Sequence, residues 1–142
     1  MIGSEDSLGM NDMLKLQGVL PALVTPFDAK GQIDFKAFEK HLTALRAAGV
    51  SGWVPCGSSG EYNLMSDDER DQVLRFVKDF AKPGETLIAG TNAPSTAGVI
   101  ANTKRAKELG YDAVLLAVPL GLVVLPARWA IATPRATTTA AC

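Results

Sequence analysis

Five consecutive residues, Gly57, Ser58, Ser59, Gly60 and Glu61, carry the clearest potential for chemistry in this chain. Two glycines let the backbone turn sharply and bring consecutive N–H groups together. Two hydroxyls stand between them, and a carboxylate closes the loop. Such a loop can hold a small anion on backbone N–H groups while a hydroxyl passes a proton. A plainer meaning competes with that one: Gly/Ser clusters mostly mark tight turns with nothing bound.

Other reactive side chains are weaker candidates. His41 is the single histidine and falls within a helical stretch, off its apolar stripe, with no partner that points to catalysis. Cys56 precedes the loop and reads as a packing residue rather than a reactive thiol. Glu61 is expected to position the loop through hydrogen bonds to nearby N–H groups. Asn92 and Ser95 read as a turn and a helix cap. Asp67, Asp68 and Asp71 read as a solvated helix start favoured by the dipole, and no metal site is expected. Cys56 and Cys142 form no close-spaced motif, so neither a disulfide framework nor a zinc site is expected.

Elements that would position the loop follow from apolar spacing. Val19-Leu20-Pro21-Ala22-Leu23-Val24 reads as a strand buried on both faces, ending at Thr25-Pro26-Phe27. Asp34 is placed to cap a helix whose Phe35, Phe38, Leu42 and Leu45 form one stripe, with Gly49 to end it. The second apolar run, 52–56, leads into the loop. Ser66 and Glu69 make a capping box ahead of Val73, Phe76, Val77 and Phe80. Thr86-Leu87-Ile88-Ala89-Gly90 is a third strand. A third helix from Ser95 carries Val99, Ile100, Thr103, Ala106 and Leu109, and Ala113 to Val118 is a fourth strand. The order βαβαβαβ predicts an α/β fold with a parallel sheet. Gly49-Val50-Ser51-Gly52-Trp53-Val54 resembles Gly110-Tyr111-Asp112-Ala113-Val114-Leu115, as repeated βα units would. An eight-unit barrel at this period needs about 250 residues.

The composition fits a globular protein, with 47% hydrophobic and 20% charged residues among 142. A net charge of −1 gives no reason to expect nucleic acid or an anionic membrane as partner. The average conceals a break. Residues 120–142 contain no acid and only two bases, Arg128 and Arg135, so they carry +2 and the preceding residues −3. The apolar run 113–125 is too short for a membrane span of about 20 residues. Residues 1–17 read as a mobile leader without signal-peptide features.

Several segments together resemble one family. Gly18 to Phe27 is similar to its first strand, and Gly57-Ser58-Ser59-Gly60-Glu61 to its signature loop, more often Gly-Thr-Thr-Gly-Glu. Ile88-Ala89-Gly90-Thr91-Asn92 with Ser95-Thr96-Ala97 resembles its third unit, and Gly110-Tyr111-Asp112-Ala113 with Val118-Pro119 its fourth. The family is the dihydrodipicolinate synthase / N-acetylneuraminate lyase group of pyruvate-dependent class I aldolases. The resemblance covers about residues 18–119 and implies the N-terminal half of a (β/α)8 TIM barrel. It implies a Schiff base between pyruvate, or another 2-keto acid, and a lysine on the sixth strand, with no metal or dissociable cofactor. By resemblance Ser58 takes part in a proton relay, Ser59 and Gly57 hold the substrate carboxylate, and Thr25 and Pro26 form the pocket wall. Serine for threonine keeps the hydroxyl but frees its rotamer. The full-length family usually forms homotetramers, and a reducing cytoplasmic setting suits the cysteine usage.

The chain also departs from the pattern. A Tyr-Tyr pair is expected after Pro119, where Leu120-Gly121 stands. No lysine is expected at a strand's C-terminal end, so the chain is predicted to be inactive by itself. Because pattern and composition change together, residues 120–142 are expected to be an aberrant low-complexity tail from a frameshift or mis-splicing. A genuine short protein with a divergent tail is the competing reading. Unpaired sheet edges predict self-association of the fragment. The alternatives are an open α/β module that binds a small anion without catalysis, and the inert product of a damaged gene.

Overall fold

Each helix begins where a side chain takes up its first free N–H groups. In the computed structural model, which describes residues 16–116, the Asp34 carboxylate accepts from the Ala37 N–H at 2.9 Å and opens α1, Phe35–Ala47. Ser66 and Glu69 form the reciprocal box that opens α2, Asp67–Phe80. Ser95 Oγ accepts from the Gly98 N–H and opens α3, Thr96–Glu108. Caps of this kind each stabilise a helix by about 1 kcal/mol. Gly49 and Gly110 follow α1 and α3 with φ of 86° and 77°, the left-handed cap that glycine adopts most easily. The repeated helix-end sequence is thus a repeated backbone conformation.

Three strands, β1 (Gly52–Trp53), β2 (Thr86–Gly90) and β3 (Ala113–Leu115), form a parallel sheet in the order β1-β2-β3. Gly52 pairs with Thr86, and Ile88 with Ala113. The segment 19–24 lies along the other side of β1, with Leu23 N–H donating to Val54 O and Ser51 N–H to Val19 O. The expected first strand is therefore in place but is only a single parallel bridge, Ala22 to Val54. Nor is it buried on both faces: Leu23 is buried, while Val19 is 64% and Val24 46% exposed. Pro21 has no N–H to give to a ladder, and this segment is the outer edge of the described sheet. The leader up to residue 15, the end of the expected fourth strand at Val118 and Pro119, the Leu120-Gly121 departure and the tail 120–142 lie outside the described residues.

Alternate residues of β2, Leu87 and Ala89, pack with Trp53 against Phe38 and Leu42 of α1 and Val73, Leu74 and Val77 of α2. The Phe76 ring of α2 meets Phe35 and Phe38 of α1 at 4.9 and 5.5 Å between centroids. Burying such rings is a dominant favourable term in a core this small. The third helix differs from its expected stripe. Ala106 is its buried residue and Ile100 is half exposed. The side chains of Val114 and Leu115 are also substantially exposed, so the sheet is uncovered on the β3 side among the described residues.

At the N-terminal ends of the strands a polar cluster ties helices to sheet. The Glu85 carboxylate, just ahead of β2, accepts from Arg46 Nε and Nη2 at 2.8 Å, from Trp53 Nε1 at 2.7 Å and from the Lys82 N–H at 2.9 Å. Arg46 Nη2 also donates to Phe80 O, and the guanidinium lies 4.0 Å from the Phe80 ring centroid. The Arg46 bonds, with help from Lys82 and Trp53, hold the Glu85 carboxyl down to about 2.

Candidate functional site

Beyond β1 the chain runs through Val54 and Pro55 to Cys56, which takes a left-handed φ of 57°. Gly57 is extended and buried, and Ser58–Gly60 form one turn of 3-10 helix. Glu61 closes that turn at φ 57°, its N–H donating to Ser58 O. The loop therefore stands at the C-terminal end of a parallel strand, the rim where sites of α/β barrels form. Ser58 and Ser59 are exposed, and their hydroxyls and N–H groups donate to no group among the described residues. The first N–H groups of a helical turn have no partner within it and so remain available.

Two contacts hold the loop in place. The buried Thr25 hydroxyl donates to Gly60 O at 2.9 Å. Gly90, at the end of β2, donates its N–H to Pro55 O at 2.9 Å. Gly90 lies so close to the loop root that a Cβ there would sit 1.9 Å from Cys56 O and 2.9 Å from Gly57 N. Pro26 is half buried beside Thr25, and its carbonyl accepts from the Asp34 N–H. The sequence thus names five residues, Thr25, Pro26, Gly57, Ser58 and Ser59, that lie in one neighbourhood built on Thr25 and Gly60.

Glu61 departs from its expected role. Its side chain is exposed and makes no hydrogen bond among the described residues, so Thr25 and the backbone hold the loop instead. Asp71 departs too: it is no free helix-start carboxylate but bonds Arg105 of α3 and Arg75 of α2, which hold it down to about 2. Cys56 is a packing residue, 1% exposed, and burial pushes its thiol up to about 12 against the pull of nearby Arg70. The buried Tyr111 donates its hydroxyl to Leu74 O at 2.8 Å, and burial raises its phenol well above the ordinary range. Its backbone precedes β3 at the N-terminal end of the sheet, while its ring lies in the core cluster that also holds Cys56.

Sequence reasoning missed Gly90, Arg70 and Asn102. Arg70 Nη1 donates to Asn92 O at 3.0 Å, and Asn102 Nδ2 reaches the same carbonyl at 3.4 Å. Gly90 carried a signal, as a glycine ending an apolar run. Arg70 and Asn102 carried none, because their bonds join residues distant in sequence. Among the described residues no group of three His, Cys, Asp or Glu comes together as metal ligands. No helix there is long and apolar enough to cross a membrane.

Comparison with known proteins agrees with this architecture. The sequence model of the Dihydrodipicolinate synthetase family matches residues 15–121. The 4-hydroxy-tetrahydrodipicolinate synthase of Endomicrobium trichonymphae is 43% identical over 103 residues, covering 72% of this chain and 35% of that protein. The chloride-inhibited dihydrodipicolinate synthase of Acinetobacter baumannii, solved in complex with pyruvate, superposes with a TM-score of 0.71 at 38% identity over 74% of this chain and 36% of that one. The 2-keto 3-deoxygluconate aldolase of Picrophilus torridus gives a TM-score of 0.70 at 28% identity, covering 74% and 38%. The chain spans about a third of the length of the curated relatives it matches. Its parallel α/β units are part of the TIM-barrel fold of these lyases and aldolases, and the chain belongs to the dihydrodipicolinate synthetase family.

Proposed function

We propose that these residues form the carboxylate-binding part of a Schiff-base lyase site, and that the amine of that site comes from outside these 142 residues. The observation that carries the reading is the loop at the β1 rim, with Ser58 and Ser59 exposed and their N–H groups uncommitted among the described residues. A 2-keto acid such as pyruvate would set its carboxylate on Ser59 and the Gly57 turn, with Thr25 and Pro26 walling the pocket. The Ser58 hydroxyl would relay the proton that moves when the neighbouring carbon–carbon bond forms or breaks. In class I aldolase chemistry a lysine amine condenses with the keto carbonyl and expels water. The resulting iminium withdraws the electron pair from the adjacent carbon.

The lysines support the second half of the proposal. Lys30 lies in a turn, Lys36 and Lys40 on α1, Lys78 on α2, Lys82 just after it, and Lys104 and Lys107 on α3, all exposed. No described lysine follows a strand at its C-terminal end, where an amine would face a keto acid held on the loop. The chain by itself would therefore bind a keto acid without transforming it.

Pyruvate binding followed by saturation-transfer NMR, paired with borohydride trapping and intact-mass measurement, tests both halves. The expected result is saturable binding that Ser59→Ala weakens about tenfold, equivalent to about 1.4 kcal/mol, with no trapped adduct. Binding indifferent to Ser59→Ala overturns the carboxylate assignment. A reduced pyruvyl-lysine on this chain overturns the absence of an amine.

A further inference from the structure

We infer that Arg70 is a positioning residue for the serine loop, a clamp across the two strand ends from which the loop is built. Its significance for binding rests on the reading of the loop as the carboxylate site. Arg70 closes the first turn of α2 and reaches both strand ends. Its guanidinium Nη1 donates to Asn92 O, two residues beyond the end of β2, at 3.0 Å. Its own carbonyl accepts the Cys56 thiol at 4.0 Å, at the root of the loop after β1. Between these points Gly90 N–H donates to Pro55 O, and Gly90 touches the Cys56 carbonyl without room for a Cβ. Where the end of β2 sits therefore dictates where Gly57 can sit, and Arg70, with Asn102 on the same carbonyl, helps to fix the end of β2.

The guanidinium is committed at both ends of its fork, since Nη2 pairs with Asp67. Its side chain is only 15% exposed, and its Nε is buried with no hydrogen-bond partner among the described residues. Leaving that donor unpaired carries a desolvation cost. The geometry accepts the cost in order to hold Nη1 on the Asn92 carbonyl. A lysine carries its three N–H groups on one nitrogen and lacks the planar fork that sets Nη1 on Asn92 and Nη2 on Asp67. Arg75, one turn further along, is the natural control. It is 56% exposed and pairs with Asp71 on the same helix.

Amide hydrogen exchange on the 142-residue chain reads this clamp without any ligand. Arg70→Met is expected to speed exchange of the Gly60, Glu61 and Gly90 N–H groups about tenfold, as local opening is eased, while core amides of α1 keep their protection. Arg70→Lys is expected to give an intermediate acceleration, and it decides the matter should the methionine variant fail to fold. Arg75→Met is expected to leave the three loop amides unchanged. Unchanged loop amides in the Arg70 variants, or equal acceleration in Arg75→Met, overturn the inference. Pyruvate titration of the same proteins separates the two ideas. If the wild-type chain binds no pyruvate, the carboxylate reading falls, while the amide comparison still decides the role of Arg70.

Discussion

Two arginines hold the two ends of this sheet, and they do so differently. At the N-terminal ends Arg46 and Glu85 close a cluster in which one carboxylate takes four hydrogen bonds and the guanidinium lies over an aromatic ring. At the C-terminal ends Arg70 leaves its Nε unpaired, the buried Thr91 hydroxyl finds no partner among the described residues, and two serines face outward. One end is saturated with partners. The other keeps donors uncommitted at the rim where a ligand would arrive. The contrast follows the division of labour in α/β barrels, with stability at the bottom of the strands and binding at the top.

The strongest challenge to that division is Glu85→Ala. Removing the shared acceptor strands the buried Trp53 indole N–H and the partly exposed Arg46 guanidinium, and a loss of about 3–4 kcal/mol from the two stranded groups is expected in urea unfolding. Loop amides at Ser58 to Gly60 should keep their exchange rates short of global unfolding. The same variant sharpens the pH behaviour. Glu85 and Asp71 both sit at about 2 in the folded chain, against about 4 when unfolded. Their contribution is therefore complete above about pH 4.5 and is lost as pH falls toward about 2. Glu85→Ala should flatten that acid slope, leaving the part due to Asp71.

Gly90→Ala probes the top with a smaller expected cost. The new Cβ would meet Cys56 O at 1.9 Å, so the strand end and the loop root must separate, at about 2–3 kcal/mol. Backbone shifts confined to 55–61 and 88–92 in the NMR spectrum are the signature. The smallest effect belongs to Ser58→Ala and Ser59→Ala, whose exposed, unbonded side chains should change stability by no more than about 0.5 kcal/mol. A serine variant that destabilises the chain as much as Glu85→Ala would erase the distinction between the two ends.

Features decided by neighbours within a few residues were legible in the sequence. The Asp34, Ser66 and Ser95 caps, the left-handed Gly49 and the stripes of α1 and α2 all stand where local spacing puts them. The loop was legible as a tight turn after a strand because two glycines and two hydroxyls mark one by type. What holds it was not. Thr25 reaches Gly60 across 35 residues, Arg46 reaches Glu85 across 39, and Arg70 reaches Asn92 across 22. No periodicity encodes such pairs, because they depend on which helix the parallel connection lays beside which strand end. The α3 stripe failed for a related reason. Periodicity names the face that is apolar but not whether anything covers it, and Ile100 stands uncovered among the described residues.

The burial of Cys56 has a practical consequence. A thiol that is 1% exposed and held at about 12 carries almost no thiolate at neutral pH, so alkylating reagents cannot attack it while the top of the sheet stays shut. Each opening that frees the loop root would also expose the sulfur. The rate at which iodoacetamide marks Cys56, read by peptide mapping, is thus an intrinsic clock for the breathing of this rim, ticking without any introduced label.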